Sequence, residues 1–255
     1  MALLQARDVS LKVAGRTLCA DLTVRFEAGQ NWVILGANGS GKTTLLHAFA
    51  GLRPVDRGSI GLDDMDILGV PHRQRARRLG LLFQDFESAF PATVLETVLT
   101  GRYPRLPRWQ WEGAEDYRAA EAALEAVGLA GFTQRALTSL SGGERRRVDI
   151  AALLAQDAPI CLLDEPTNHL DLRHQVQILE RLAERARRPG HFNIFVLHDI
   201  NLAARFGTHG ILLFDKGECL HGPLSGMLQR PNLERLYHCR LREIRAEGAR
   251  WFLPD

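Results

Sequence analysis

The sequence predicts an α/β fold with a parallel sheet, an antiparallel β portion and an inserted helical region. Three observations predict it. Apolar runs without polar alternation at Asn31–Leu35, Leu79–Phe83, Ile160–Leu163 and Asn193–Leu197 have the pattern of strands buried on both faces. Helical patterns alternate with such runs, as parallel pairing requires. Between Leu79–Phe83 and Ile160–Leu163, the stretch from Thr93 to Gln156 carries apolar residues at three- and four-residue spacing, the mark of helices.

In chain order, Asn31–Leu35 leads into a glycine-rich loop and a helix from Thr43 to Ala50. Arg53 to Gly58 reads as a turn into a strand near Ile60, and Leu79–Phe83 as a strand ending at Gln84. The helical region contains TVLETVLTG, EDYRAAEAALEAVG and GERRRVDIAALLAQ, with glycines at expected C-caps. A long helix from Leu172 to Arg187 connects the last two buried strands. Ile211 to Leu220 reads as a hairpin around Asp215 and Gly217, and a helical and strand-rich tail runs to Asp255. The expected organisation is a single domain over 1–255, with a helical subdomain over about 88–157 and a C-terminal extension over about 222–255.

The 255 residues, 45% hydrophobic and 24% charged, are enough for one sizeable core. The formal charge of +2 gives no strong field to draw the chain to nucleic acid, and none is expected as a partner. The cluster Arg73, Arg75, Arg77 and Arg78 reads as a solvated helix face. Cys19, Cys161, Cys219 and Cys239 are scattered without a CxxC pair, which is neither a disulfide framework nor a zinc site. His238 and Cys239 read as structural residues. No stretch approaches the ~20 apolar residues of a membrane helix, so the chain is expected to be cytosolic and to reach a membrane only through a partner.

Gly36, Ala37, Asn38, Gly39, Ser40, Gly41, Lys42 and Thr43, followed by Thr44, satisfy GxxxxGK[ST] between an expected strand and an expected helix. Glycines allow a turn tight enough for successive N–H groups to point at phosphate oxygens, and the helix N-terminus adds a favourable dipole. Lys42 is assigned to the β- and γ-phosphates of ATP and the Thr43 hydroxyl to Mg²⁺.

The run Ile160–Leu163 ends in Asp164 and Glu165, at the carboxyl edge of the sheet where open α/β folds bind ligands. Asp164 is assigned to the Mg²⁺ shell and Glu165 to polarising the attacking water as general base. Gln84, at another strand end, is assigned to the Mg²⁺ shell or to orienting water. His198, after Asn193–Leu197, is assigned as a γ-phosphate sensor; a packed or capping histidine is the alternative.

Leu140-Ser-Gly-Gly-Glu144 precedes a helix expected from about Arg145, so Ser141, Gly142 and Gly143 present a second anion site at a helix N-terminus. With GANGSGKT, Gln84, LSGGE, ICLLDE, Asn168 to Asp171 and His198 in that order along nearly the whole chain, the sequence resembles the ABC ATPase family. The resemblance implies a P-loop NTPase, RecA-like core with an antiparallel β portion and an inserted helical subdomain. It also implies a head-to-tail homodimer holding two ATPs, each between the phosphate loop of one copy and the LSGGE of the other, with Asp171 near the opposite phosphate loop.

Gly101-Arg-Tyr-Pro104 and Val196-Leu-His-Asp-Ile-Asn-Leu-Ala-Ala-Arg205 look like the ATPases of importers for iron-siderophores, haem and vitamin B12. That narrower likeness implies a peripheral protein on the cytoplasmic face of a bacterial inner membrane. Its partners would be two membrane-spanning permease subunits and, indirectly, a periplasmic binding protein. The alternatives are the ATPase of an exporter or of another importer class, or a stand-alone soluble P-loop NTPase, which would leave LSGGE and Asp171 unexplained. Three departures from the family's commonest wording stand out: Val13 where an adenine-stacking aromatic is usual, Asn168-His169, and the run Arg145 to Arg147.

Overall fold

A computed structural model of the chain describes residues 4–84, 91–107, 109–246 and 248–255. It opens with strands β1 (Leu4–Val13), β2 (Arg16–Phe26) and β3 (Asn31–Gly36), helix α1 (Lys42–Phe49), and strands β4 (Arg57–Leu62) and β5 (Met65–Asp66). There follow α2 (His72–Arg78), β6 (Leu79–Leu82), α3 (Val94–Leu99), α4 (Ala114–Ala126), α5 (Gly142–Gln156), β7 (Ile160–Asp164) and α6 (Leu172–Ala186). The last part comprises β8 (Phe192–Val196), α7 (Ile200–Phe206), β9 (His209–Leu213), β10 (Cys219–Pro223), α8 (Leu224–Met227), α9 (Arg230–Tyr237), β11 (Leu241–Ala246) and β12 (Ala249–Pro254).

Met1–Val70 and Arg185–Asp255 make one compact unit, with its own core and two main sheets. β1 and β2 form a hairpin whose turn residues Ala14 and Gly15 have φ of 47° and 79°, the doubly positive pattern that suits right-twisted strands. The strand expected near Ile60 is β4, and it pairs antiparallel with β1 rather than joining the parallel sheet. Gly58 permits this approach: its φ is +79°, and a Cβ there would lie 2.3 Å from the Arg7 carbonyl oxygen. In the second sheet β3 is paired in parallel with β8 on one side and β9 on the other, and β10 returns antiparallel along β9. The core joins these layers through aromatic rings. Phe26 meets Trp32 and Phe49 edge to face at 5.0 and 5.1 Å and stacks on Phe192 at 6.0 Å.

Pro71–Glu184 make the second unit. β6 and β7 run parallel, Leu79 opposite Ile160 and Leu82 opposite Leu163, so both strands end on the same edge. Apolar residues of α3, α4 and α5, including Val94, Val98, Leu124, Val148 and Ile150, are buried. The expected start of the helical region, about residue 88, falls within 85–90 and lies outside the described residues. A 3₁₀ turn at Thr100–Arg102 follows α3. Gly101 lets this turn pack on α5, since a Cβ there would lie 2.1 Å from the Ala152 carbonyl oxygen. Arg102 is buried beside it, its Nε donating to Asp116 Oδ1 at 2.9 Å and its Nη1 to the Ala155 carbonyl at 2.9 Å. That bond to the guanidinium, ahead of the Gly113 amide, holds the Asp116 carboxyl below its usual range.

The arginine cluster on α2 is only in part the solvated face expected: Arg73 and Arg77 are exposed, whereas Arg75 is not. Arg75 is buried and lies 2.7 Å from His72 Nδ1, while Arg73 and Arg77 both donate to the Pro104 carbonyl, at 3.3 and 2.7 Å. Guanidinium groups satisfy the otherwise orphaned carbonyls of a turn, and their stems cover apolar surface, so a basic run need not be solvated. The four cysteines are free, as expected of a chain without a disulfide framework, but two of them meet in the fold. Cys19 and Cys219 are 200 positions apart, yet their Sγ atoms lie 3.0 Å from each other.

Candidate functional site

The phosphate-loop residues Gly36 to Thr44 lie in the first unit, between the end of β3 and the first turn of α1. Three glycines make the loop possible. A Cβ on Gly36 would meet Ser40 Oγ at 2.4 Å, Gly39 has φ +74°, and Gly41 has φ +102° with Leu18 Cβ only 2.9 Å from where its own would stand. Gly41 caps α1 with its backbone alone, with no side-chain cap, so the first helical amides have no intrahelical acceptor. Lys42 is buried and folds back over the loop, its Nζ donating to the Gly36 and Ala37 carbonyls at 3.0 and 3.1 Å. Ser40 is buried too, and its Oγ has no hydrogen-bond partner among the described residues. A buried hydroxyl, unopposed helical amides and a lysine over one turn form a cradle that suits phosphate oxygens.

His198 lies in the same unit, exposed just beyond β8, the parallel neighbour of β3. It therefore shares the carboxyl edge of that sheet with the phosphate loop. The capping role falls to Asp199, whose Oδ1 accepts from the amides of Asn201 and Leu202 at 2.7 and 3.1 Å. Val13 ends β1, 38% exposed, and supplies no ring for base stacking.

Gln84, Asp164 and Glu165 lie in the second unit, at the shared edge of β6 and β7. Asp164 is fully buried and Glu165 is 7% exposed. Glu165 holds a left-handed backbone at φ 47°, an uncommon conformation for a side chain of this size. Its Oε2 accepts from Gln84 Nε2 at 3.3 Å and from Asn168 Nδ2 in a shorter bond. Two amides thus orient this carboxylate.

Beneath both acids lies Arg146, buried on α5. Its Nη1 donates to the carbonyls of Phe83 and Gln84 at 2.6 and 3.2 Å, and its Nη2 to those of Asp164 and Glu165 at 2.5 and 2.8 Å. One guanidinium therefore ties together the ends of both strands. Sequence reasoning missed this role and that of Asn168. The phase of Arg146 on α5, four residues before buried Ile150 and seven before buried Leu153, was the available signal.

The helix of the LSGGE segment begins at Gly142, three residues earlier than expected from the apolar pattern. The reason is a capping box. Glu144 N donates to Ser141 Oγ at 3.2 Å, and Ser141 N donates to Glu144 Oε2 at 2.8 Å. The Ser141 amide, ahead of the Ser141 hydroxyl, holds the Glu144 carboxyl below its usual range. Gly143 packs against the next motif, since a Cβ there would lie 2.8 Å from the His169 carbonyl oxygen. Asp171 stands exposed before α6, and its Oδ1 accepts from the His174 amide at 2.9 Å. That bond, foremost among several, lowers the Asp171 carboxyl from its ordinary value.

On the second unit Gln84 and Asp164 place a carboxamide and a buried carboxylate at one strand edge, and on the first unit Thr43 offers a hydroxyl; each is an oxygen donor of the hard kind that Mg²⁺ takes. Among the described residues there is no group of three or more His, Cys, Asp or Glu suited to a metal.

A phosphate cradle on one α/β unit, and an acidic strand edge with a second helix N-terminus on the other, define a nucleoside-triphosphate-binding protein. Known proteins place it more closely. The family model described as ABC transporter matches residues 19–168. The ferric enterobactin transport ATP-binding protein FepC of Escherichia coli (strain K12) is 36% identical over 240 residues, covering 94% of this chain and 89% of its own. The hemin import ATP-binding protein HmuV of Bradyrhizobium diazoefficiens is 36% identical over 263 residues, covering 100% of this chain and 95% of its own. Among solved structures, an inward-facing transporter described as of the metal-chelate type superposes with a TM-score of 0.85 at 27% identity, covering 100% of this chain and 98% of its own. A dimeric ATP-binding cassette in a post-hydrolysis state with ADP and Pi superposes with a TM-score of 0.76 at 28% identity, covering 87% of this chain and 98% of its own. The chain belongs to the ABC transporter family, among its subunits that bind and hydrolyse ATP, and its fold is the P-loop NTPase fold expected from the sequence. Among the described residues no helix is long and apolar enough to cross a membrane.

Proposed function

We propose that the chain is the ATP-hydrolysing subunit that drives a bacterial inner-membrane importer for an iron-siderophore, haem or cobalamin, with the two iron chelates the leading cargo classes. Relatives that carry siderophore and haem transport in their names, matched along nearly their full length, support the cargo class. The chain would work on the cytoplasmic face, bound to two membrane-spanning permease subunits and served by a periplasmic binding protein.

In this reading Gly36 to Thr44 wrap the phosphates of ATP, with Lys42 on the β- and γ-oxygens. Thr43, Gln84 and Asp164 would hold Mg²⁺, which would supply charge neutralisation when bound. Glu165 takes the proton of the attacking water, Gln84 orients that water, and His198 contacts the γ-phosphate. Ser141, Gly142 and Gly143 of a second copy close over the nucleotide, and Asp171 meets that copy near its phosphate loop. The observation that carries the assignment is the Glu165 carboxylate, held by the Gln84 and Asn168 amides at the strand end beside buried Asp164. A general base must be aimed at the water it activates, and the two amides fix the direction of this carboxylate.

The test is the ATPase rate per subunit as a function of protein concentration, with Glu165→Gln examined for an ATP-induced dimer. A rate that rises with concentration and a trapped dimer are expected. A concentration-independent rate with no dimer would overturn the sandwich. Co-purification with the permease, followed by stimulation with loaded binding proteins, identifies the cargo.

A further inference from the structure

The thiol pair Cys19 and Cys219 plays no part in the nucleotide chemistry, yet its placement is specific. Cys19 is fully buried in β2, opposite Leu11 of β1, and Cys219 opens β10. Their Sγ atoms are 3.0 Å apart, against about 2.05 Å in a disulfide, so about 1 Å of movement closes the bond. Cys219 is half-buried and lines an open depression of about 700 Å³ with Ala20, Lys216, Glu218 and Arg235, so a small reagent can reach it. Cys19 is fully buried, with the Cys219 sulfur against its own.

The two thiols are also chemically unequal. The hydrogen bond with Cys19 holds the Cys219 thiol below its ordinary value against burial. The same bond, then burial, pushes Cys19 well above its own. The outer sulfur is the nucleophile and the inner one the resolving partner.

The neighbours connect this pair to the phosphate loop. Leu18, adjacent to Cys19, lies against Gly41, where there is no room for even a methyl group, and Thr17 lies against Gly217, two residues before Cys219. Movement of β2 therefore bears directly on the turn that seats Lys42.

We propose that Cys19 and Cys219 form a reversible disulfide, made by exchange with a small disulfide such as oxidised glutathione, that displaces the phosphate loop and slows nucleotide turnover. The Cys219 thiolate attacks one sulfur of glutathione disulfide, and one glutathione thiolate leaves. Cys19 then attacks Cys219 Sγ, expelling the second glutathione, and the protons of both cysteines end on the two glutathione thiols. The two cysteines lose two electrons and the small disulfide gains them. The slowing of turnover rests on the ATPase reading; formation of the bond does not.

The full chain is incubated with oxidised glutathione without denaturant, digested without reduction and mapped by mass spectrometry, with ATPase rate and Tm measured before and after dithiothreitol. A Cys19–Cys219 linked peptide is expected, with a Tm raised by about 5–10 °C. A turnover about ten-fold lower, restored by dithiothreitol, is expected with it. Cys219→Ser should show none of these changes, and it leaves the buried Cys19 packing in place. Glutathione found on Cys219 with no linked peptide would overturn the proposed bond. A linked peptide with unchanged turnover would overturn its coupling to the loop. If the reduced protein hydrolyses no ATP, the ATPase reading fails while the peptide map still decides the bond.

Discussion

Arg146 Nη2 donates to the backbone carbonyls of both Asp164 and Glu165, at 2.5 and 2.8 Å, from beneath the acidic edge it supports. A buried cation serving four carbonyls is a positioning device. It fixes the strand ends that carry Gln84 and Glu165 through their backbone carbonyls.

Arg146→Met should therefore cost about 2–4 kcal/mol of stability, because it leaves several buried carbonyls unserved. Urea unfolding measures this. Arg146→Lys, a compact cation unable to fork between two strand ends, should recover only part of the loss.

Glu165→Gln should bind ATP as the parent does and hydrolyse it about 10²–10⁴-fold more slowly. Asn168→Ala, which removes one of the two amides on Glu165 Oε2, should lower turnover by about ten-fold with ATP affinity retained. Single-turnover hydrolysis beside equilibrium nucleotide binding separates the two quantities. Unchanged hydrolysis in Glu165→Gln would remove that residue from the chemistry.

Ser141→Ala removes the hydroxyl half of the box that starts α5 and should cost about 0.5–2 kcal/mol of stability. A loss of turnover at a temperature where the variant is fully folded would be a separate effect, on the nucleotide. Thermal melts run alongside the rate assay distinguish the two.

Asp149 on α5 is pushed up to about 6 by burial, with Arg146 and Arg145 opposing. Between its ordinary value near 4 and about 6, the folded state binds more protons than the unfolded state, so this group lowers stability as pH rises through that window. Asp149→Asn should raise stability at pH 7.5 by on the order of 1–3 kcal/mol and leave it unchanged near pH 3. Denaturant midpoints at the two pH values provide the check.

Gly101→Ala places a methyl group 2.1 Å from the Ala152 carbonyl oxygen. It should destabilise the second unit by about 1–3 kcal/mol or more, as overpacking does. A full-stability variant at this position would show that the turn can move off α5.

The strands buried on both faces and the phosphate loop were legible because each is a local pattern: a run of four to six apolar residues, or glycines at fixed spacing. β3, β6, β7 and β8 lie within one residue of where apolar runs put them. The parallel or antiparallel partner of a strand is not local. The strand near Ile60 joined β1 because Gly58 permits a close backbone crossing, which no periodicity reveals. The start of α5 was misjudged because glycines argue against helix, whereas the Ser141–Glu144 pair outweighs them. The burial of Arg75 and Arg146 was hidden for a related reason. Charge in a sequence suggests solvent, but a guanidinium whose five donors meet carbonyls can be buried.

The reciprocal bonds of Ser141 and Glu144 shape the leading end of α5 within a single chain. An anion presented by a second copy would meet a turn already closed by its own hydrogen bonds, so its arrival need not organise the backbone there. Assembly would then be governed by shape fit and charge rather than by a coupled disorder-to-order transition at that end.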